Sequence, residues 1–329
     1  MEGISAMKRF QGIALLALAF VTTGQLCAAG YPARPVRMVV PFAAGGTATI
    51  LARSIANEAE KLLGQSIVVD NRGGANGIIG TQIVVNATPD GYTLLHVTTS
   101  VAINPSVYRK LPYDTLKDLV PISFVARGTG YVLLASPGFK ARTVKELIEE
   151  AKKPGKPVAY ASAGIGNSTH LVAEIFSRAA GIEMTHVAYK GVAPAINAVM
   201  GGEVPIMFIP PTIAVGHIKA GRVRALGFTG KSRWAVLPDI PTIAEAGVAG
   251  FYKDSGWNVW FAPAKTPANV VQYMQSIARK SVYAPKVRKV LDAGGYEPFA
   301  NTPAEARVFL RSEIKTYANI VRAVGIKPN

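Results

Sequence analysis

The stretch PVRMVVPFAAGGTATILAR, residues 35–53, decides the fold, because an apolar run passes through two glycines directly into a helical pattern. The apolar run reads as a strand, and Gly45 and Gly46 allow a tight turn after it. Thr47 or Thr49 can then cap a helix whose apolar residues recur at helical spacing. Free amide groups at such a helix start favour a carboxylate or a phosphate. We therefore predict an anion-binding loop at the end of this strand.

A second stretch, VAYASAGIGNSTHLVAEIF at residues 158–176, has the same arrangement of strand, glycine-rich loop and helix start. In doubly wound sheets, ligands bind beyond the carboxyl ends of the strands, which is where both loops lie. Two such loops predict a cleft between two lobes.

Strands and helices alternate along the chain, which predicts parallel strands joined by crossover helices. One series begins at Val36, a second begins near Val132, and a long amphipathic helix at 303–323 closes the chain. The other predicted elements are strands 36–42, 67–70, 92–97, 158–162, 184–189, 204–209 and 223–228, and helices 47–63, 76–87, 168–180 and 193–200.

The N-terminal segment has the pattern of a secretory signal peptide. Lys8 and Arg9 precede an apolar run at 12–21, and small residues follow up to Ala29. We expect cleavage after Ala29, so that residues 1–29 are removed. A membrane anchor is the alternative, although the run is shorter than the roughly 20 residues that a span needs. Removal of the segment also removes Cys27, the single cysteine, which suits a bacterial periplasm.

Composition bounds the remaining chain. A length of 329 residues, with 49% hydrophobic and 17% charged residues, allows two ordinary globular domains. The formal net charge is +16, but lysine and arginine are dispersed, and no nucleic-acid-binding motif is present. We expect no nucleic-acid partner, and we expect the basic surface to favour anionic solutes.

Ser162 lies between a strand and a helix, as a hydrolase nucleophile would. The nucleophile-elbow pattern needs glycine two residues earlier, where this chain has Tyr160. The usual order of serine, aspartate and histidine is also absent, because every histidine after Ser162 precedes the next aspartate, Asp239. A serine hydrolase using Ser162 remains the alternative function, and a hydrogen-bonding role for this hydroxyl is preferred.

Cofactor and metal motifs are incomplete. GFTGKS at 227–232 has Ala225 where a P-loop needs its first glycine, and GIGNST at 164–169 has Thr169 in place of the third glycine of a dinucleotide fingerprint. The four histidines show no metal-ligand spacing. We expect neither a cofactor nor a metal. Trp257 and Trp260 read as strand residues on one side, packed in the core rather than lining the cleft.

Seven motifs extend across nearly all of the chain after Ala29. They are PFAAGGTATILAR, VVDNRGGANGIIGT, PDGYTLL, INPSVYRKLPYDTLKDLVPIS, YASAGIGNSTHL, HVAYKGVAPAINAVMGGEV and LPDIPTIAEAG, in this order. Together they resemble the Bug family of periplasmic solute-binding proteins, the extracytoplasmic receptors of tripartite tricarboxylate transporters. The resemblance implies a type II periplasmic-binding-protein fold, with two doubly wound α/β lobes around a ligand cleft. Residues 30–130 and 231–329 would form lobe 1, and residues 131–230 lobe 2.

The resemblance also implies a set of ligand contacts by position. In lobe 1 these are Phe42, Ala44, Gly45, Gly46, Thr47, Thr49, Thr98 and Ser100. In lobe 2 they are Ser162, Gly164, Gly166, Asn167, Ser168, Thr169, Tyr189, Phe208, Ile209 and Pro210.

Two positions depart from the family pattern. Members commonly have aspartate where this chain has Thr49, and often another where it has Ile209. A ligand ammonium would then lack a counter-charge, so we expect a simple aliphatic or aromatic carboxylate. Its non-acid end would rest on Phe42, Tyr189, Ile209 and Pro210. The expected function is that of a monomeric, non-enzymatic periplasmic receptor for a small organic acid, which serves the membrane subunits of a transporter or signals the presence of the acid.

Overall fold

The computed structural model describes residues 30–155, 157–326 and 328. The predicted signal peptide, and with it the alternative of a membrane anchor, lies outside the described residues. Within the described part of the chain, no helix combines the length and the apolar character that crossing a membrane requires.

Strands and helices alternate as the sequence predicts, and several additional elements lie between the predicted ones. The strands are β1 (Val36–Val40), β2 (Ile67–Asn71), β3 (Thr93–Thr98), β4 (Leu119–Gly128), β5 (Val132–Ala135), β6 (Val158–Ser162), β7 (Met184–Ala188), β8 (Ile206–Ile209), β9 (Arg224–Phe228), β10 (Trp257–Pro263) and β11 (Tyr296–Pro298). The α-helices are α1 (Thr47–Leu63), α2 (Ile78–Val85), α3 (Ser100–Val107), α4 (Val144–Ala151), α5 (Ser168–Ala180), α6 (Val192–Met200), α7 (Pro211–Lys219), α8 (Ala268–Val282), α9 (Pro285–Ala293) and α10 (Pro303–Ala323).

One sheet has six strands in the order β11-β4-β10-β3-β1-β2. Strand β1 pairs in parallel with β2 and β3, and Val36 lies opposite Ile67. Strand β10 is antiparallel to both β3 and β4. Helices α1, α2, α3, α8, α9 and α10 pack on this sheet or on one another. We call this sheet and its helices the six-stranded module.

The second sheet has five strands in the order β7-β6-β8-β5-β9. Strand β6 is parallel to β7 and β8, whereas β5 is antiparallel to β8 and β9. Side chains of β5 alternate between two buried clusters, with Leu133 in one and Val132 and Leu134 in the other, so both faces of the sheet are covered. This sheet and its helices form the five-stranded module, which is built from one continuous run of chain.

The expectation of parallel strands is therefore only partly correct. It holds for β1 to β3 and for β6 to β8, where helices connect the strands. It fails where the chain passes between the modules, because β4 ends at Gly128 and β5 begins at Val132 with no helix between them. A strand that enters a sheet directly, without a crossover helix, is free to pair antiparallel.

The two tryptophans of β10 do not share a face, contrary to the sequence expectation. Trp260 Nε1 donates a hydrogen bond to His96 Nδ1 at 3.0 Å, and His96 Nε2 lies 3.2 Å from Asn258 Oδ1. Trp257 instead packs edge-to-face on Phe124, with ring centroids 4.8 Å apart. Residues three apart in a strand point to opposite sides, which explains the difference. Burial lowers the pKa of His96 to about 4, so this histidine is neutral at pH 7.

Candidate ligand-binding cleft

The first predicted loop connects β1 to α1. Gly46 is the N-cap of α1, and no side chain caps the first turn. The expectation that Thr47 or Thr49 caps this helix is therefore wrong. The Thr49 hydroxyl accepts a hydrogen bond from Asn71 Nδ2 at 2.8 Å, whereas Thr47 Oγ1 is buried with no partner in the described part of the chain. The start of α1 thus presents backbone amides and a free hydroxyl rather than a charge.

The second predicted loop connects β6 to α5. Asn167 is the N-cap, and its Oδ1 accepts hydrogen bonds from the Thr169 amide and the Thr169 hydroxyl, each at 3.1 Å. The Thr169 hydroxyl in turn accepts a bond from the Ala163 amide at 2.9 Å. These bonds fix the loop against its own helix, so its polar groups are held in defined positions.

A cavity of about 50 Å³ is lined by the starts of both helices. None of its sixteen lining residues, all of them among the described residues, carries a charged side chain. Thr98 Oγ1, at the end of β3, is a second buried hydroxyl without a partner in the described chain. The lining residues are Phe42, Ala43, Gly46, Thr47, Ala48, Thr98, Ala163, Asn167, Ser168, Thr169, Val192, Pro210, Ser255, Trp257, Asn258 and Tyr296.

Half of the lining residues were absent from the sequence prediction. Four of these, Ser255, Trp257, Asn258 and Tyr296, come from the start of β10, the residues before it, and β11. They carry no recognisable motif, and they reach the cavity only because β10 inserts between β3 and β4. Trp257 is buried as expected, but the expectation that it does not line the cleft is wrong, because its side chain is part of the cavity wall. The strand-like spacing around Trp257 was the one signal that could have placed these residues. The other four are Ala43, Ala48, Ala163 and Val192.

Eight of the predicted ligand contacts line this cavity. They are Phe42, Gly46, Thr47, Thr98, Asn167, Ser168, Thr169 and Pro210. Gly164 and Tyr189 line a neighbouring cavity of about 220 Å³, which also contains Phe42 and Ala163 in its wall. The two cavities therefore adjoin along Phe42 and Ala163.

The other eight predicted contacts line neither cavity. Phe208 and Ile209 are fully buried in the core of the five-stranded module, where Phe208 packs on Phe176 with ring centroids 5.4 Å apart. Gly166 lies against Val107 of α3, because a Cβ added to Gly166 would fall 2.5 Å from Val107 Cγ2. The remaining five are Ala44, Gly45, Thr49, Ser100 and Ser162.

Ser162 lies beside a histidine that the sequence did not single out as its partner. Ser162 Oγ is 2.5 Å from His186 Nε2. The serine is fully buried, lines neither cavity, and also accepts a hydrogen bond from the Gly164 amide at 3.1 Å. A nucleophile must reach a substrate carbon, and this hydroxyl is enclosed by its own loop. The hydrogen bonds of Ser162 therefore hold the β6–α5 loop in place.

Two imidazoles stack beneath the β6–α5 loop. The rings of His170 and His186 are 3.8 Å apart and nearly parallel. Gly166 donates its backbone N–H to His170 Nδ1 at 3.0 Å, which requires that nitrogen to be unprotonated. Burial, followed by the proximity of His186, lowers the pKa of His170 to about 3, and burial lowers the pKa of His186 to about 4. A neutral histidine pair therefore supports the loop from below at pH 7.

Residues 51–326 match the profile described as Tripartite tricarboxylate transporter family receptor. A UPF0065 protein of Bordetella pertussis is 36% identical over an alignment of 335 residues that covers 100% of both chains. The solved structure of the periplasmic binding protein BugD superposes with a TM-score of 0.86 at 34% identity, covering 91% of this chain and 100% of its own.

A protein from Rhodopseudomonas palustris solved with adipate also has a TM-score of 0.86, at 32% identity, and covers 91% of this chain and 100% of its own. The fold is thus the two-lobed α/β fold of periplasmic binding proteins. In the described residues there is no group of three or more histidine, cysteine, aspartate or glutamate side chains that could hold a metal ion. The chain belongs to the TctC, or Bug, family of tripartite tricarboxylate transporter receptors.

Proposed function

We propose that this receptor binds a small organic carboxylate in the cavity between the starts of α1 and α5. The observation that carries the proposal is the convergence of two helix starts on one cavity with no charged side chain among its lining residues. Both helices contribute their positive ends, and Thr47 and Thr98 add buried hydroxyls that are free to donate. An anion satisfies all of these groups at once.

The same lining argues against a ligand that also carries an ammonium group. No lining residue of this cavity is acidic. Thr49 and Ile209 lie outside it, so the residues at these two positions do not bear on the choice of ligand. An ammonium buried in the cavity would lack a counter-charge. The apolar part of the ligand would contact Phe42, Trp257 and Pro210 instead. The adipate bound by the R. palustris relative is a carboxylate of the proposed kind.

We infer a monomer whose lobes are residues 30–130 with 231–329, and residues 131–230. This division follows the two sheets, since β5 to β9 belong to one and the strands before and after them to the other. Lobes of this kind close about the connecting strands and exclude water from the ligand. We propose further that residues 1–29 are a signal peptide, that the mature protein works in the periplasm, and that it presents its ligand to transporter membrane subunits or signals its presence.

The test is a matched pair of ligands that differ by one ammonium group. Succinate and aspartate are titrated by calorimetry into the mature protein at one pH and one salt concentration. We expect saturable binding of succinate that exceeds the binding of aspartate at least tenfold, a difference of about 1.4 kcal/mol. Tighter binding of aspartate would show that the uncharged lining does not select the ligand. An absence of binding across a panel of carboxylates would contradict the receptor proposal itself.

A hydrolase is the second candidate, because Ser162 Oγ lies 2.5 Å from His186 Nε2. We propose that this pair is structural and that the protein has no esterase activity, since Ser162 is fully buried. The purified protein and a Ser162→Ala variant are incubated with short-chain nitrophenyl esters. We expect equal, background rates. Turnover by the wild-type protein that disappears in Ser162→Ala would reverse the assignment.

A further inference from the structure

One asparagine joins the two modules across the cleft. Asn76 lies in the short 3₁₀ turn Ala75–Gly77 between β2 and α2, in the six-stranded module. Its Oδ1 accepts a hydrogen bond from Asn167 Nδ2 at 3.0 Å, and Asn167 caps α5 in the five-stranded module. The two residues are 91 positions apart in the chain. The bond therefore exists only while the modules are together.

Both side-chain amides are held in a single orientation by their other partners. Asn167 Oδ1 accepts from the Thr169 amide, which leaves Nδ2 as the group that reaches across the cleft. Asn76 Nδ2 donates to Asn104 Oδ1 of α3 at 2.9 Å, which leaves Asn76 Oδ1 to accept. No group in this chain of bonds has to choose between partners, and the cross-cleft bond has a defined direction.

The backbone at Asn76 is in a conformation that needs support. Its φ is 49° and its ψ is 38°, and among the described residues only Ala75 and Asn76 combine a positive φ with a side chain. Such residues persist where surrounding contacts hold them, and they concentrate at ligand clamps. Asn76 is also 9% exposed, so its polar groups have little access to water. The conformation of Asn76 therefore depends on its hydrogen-bond partners, one of which belongs to the other module.

The modules meet closely around this bond. Gly166, one residue before Asn167, packs against Val107 of α3, the helix that also supplies Asn104. The contact leaves no space for a Cβ on Gly166, since it would fall 2.5 Å from Val107 Cγ2. The turn at Asn76 and helix α3 thus form one surface, and the β6–α5 loop fits onto it.

We propose that Asn76 is a closure latch, a positioning residue that acts through Asn167 and controls how long a ligand stays in the cavity. Asn76 does not line the ligand cavity, whereas Asn167 does. Breaking the bond by a change at Asn76 removes no residue from the cavity wall, but it removes a bond that opening must otherwise break. The inference rests on the proposed receptor function and concerns the dissociation step of that function.

Two substitutions remove the bond, and each has one further effect, because Asn76→Gly also removes the bond to Asn104 and Asn167 also lines the cavity. Asn76→Gly deletes the side chain and tolerates the positive φ. Asn167→Ser deletes the amide donor and keeps a hydroxyl that caps α5, without adding charge beside the ligand. The double variant completes a double-mutant cycle. Removing either partner already breaks the bond, so removing the second partner should have no further effect on it. Thr302→Ala, which removes the capping box of α10, is the control for lost stability alone.

Dissociation and association rates are measured by surface plasmon resonance with adipate, succinate and benzoate, and the tightest of the three is used for all variants. We expect Asn76→Gly to release the ligand about three- to tenfold faster with an unchanged association rate. Asn167→Ser, whose side chain also lines the cavity, should release it at least as fast, and the double variant should be no faster than Asn167→Ser. Thr302→Ala should keep the wild-type rates. Unchanged release in both single variants, or multiplied effects in the double variant, would overturn the latch and leave the receptor function standing.

Small-angle scattering of the ligand-free proteins separates the latch from the receptor function. We expect a larger radius of gyration for Asn76→Gly and Asn167→Ser than for the wild-type protein. If none of the three carboxylates binds, the receptor proposal fails. A larger radius of gyration in the two variants would then still support the claim that the Asn76–Asn167 bond holds the modules together. An equal radius in that case would overturn the latch as well.

Discussion

Hydroxyl groups, asparagine side chains and backbone amides, rather than charged side chains, give the cavity its polarity. Thr47 Oγ1 and Thr98 Oγ1 are both buried and have no partner in the described chain. A buried hydroxyl without a partner carries a desolvation cost in the empty protein that a bound carboxylate relieves. We therefore expect these two hydroxyl groups to contribute to ligand affinity and not to the stability of the fold.

Thr47→Val tests this separation of affinity from stability. Valine has the shape of threonine and lacks the hydroxyl, so we expect Kd to rise roughly fivefold, about 1 kcal/mol, with the melting temperature unchanged or slightly higher. Thr115→Val is the control, because the Thr115 hydroxyl donates to the Val101 carbonyl at 3.1 Å and lines neither cavity. It should lose stability and keep its Kd. The reverse pattern, measured by calorimetry and thermal melts, would contradict the role of Thr47.

The stacked histidines predict a stability that falls in acid. The folded-state pKa values of His170 and His186 are lowered to about 3 and about 4, below the unfolded value of 6.5. Groups of this kind bind protons more readily when the chain unfolds. The contribution of these two histidines to the free energy of unfolding is therefore complete above about pH 6.5. It is lost as the pH falls toward 4, at up to about 1.4 kcal/mol per pH unit for each proton.

His170→Gln removes one of these titrations and keeps an acceptor for the Gly166 amide. Urea unfolding of the wild-type protein and the variant is compared from pH 7.5 to pH 4.5. We expect the free energy of unfolding of the variant to depend less steeply on pH. Parallel curves for the two proteins would show that folding does not lower the pKa of His170.

At the scale of elements, loop geometry was more predictable than strand pairing. Helices α1 and α5 begin and end at the predicted residues, because Gly64 and Gly181 form their left-handed C-caps. It was not predictable that the start of β10 forms part of the cavity wall, because the sequence around Trp257 does not indicate that this strand pairs with β3. Pairing of distant strands depends on the whole chain, whereas a glycine acts on its own turn.

Gly166→Ala tests the contact between the β6–α5 loop and α3. Its φ is 70°, so any side chain costs about 1 to 2 kcal/mol, and its Cβ would also clash with Val107. We expect a loss of ligand affinity of more than about tenfold, partly restored by adding Val107→Ala.

Gly181→Ala is the matched control for this prediction, with a φ of 63° and no atom within 4 Å of an added Cβ. It should lose only stability. Equal affinity losses for the two alanine variants in calorimetric titrations would show that backbone strain, and not the contact with Val107, is responsible.

For the whole molecule, the order of seven motifs was sufficient to predict the family and the two-lobed fold, and the comparisons confirm both. The walls of the cavity were only partly predictable. The two glycine-rich loops supply motif residues such as Thr47 and Ser168, whereas Ser255 and Tyr296 arrive from regions with no motif. Sequence patterns describe what a segment does locally, and a cleft is defined by segments that meet.

Export supplies a prediction at the same scale. We expect the protein recovered from the periplasm to begin at Gly30, because small residues end the leader at Ala29. Intact-mass spectrometry of the secreted protein measures this directly. A mass that includes residues 1–29, or one that indicates a lipid on Cys27, would contradict cleavage at this site.

The position of Trp257 gives the protein a built-in optical reporter. The chain has three tryptophans, and only Trp257 is in the wall of the ligand cavity. Its indole Nε1 donates to Glu313 Oε2 at 2.7 Å, which anchors the ring to α10. Ultraviolet emission from this ring should change when a solute replaces water beside it. Unlabelled protein can therefore be screened against libraries of acids by intrinsic fluorescence, with Trp257→Phe as the silent reference.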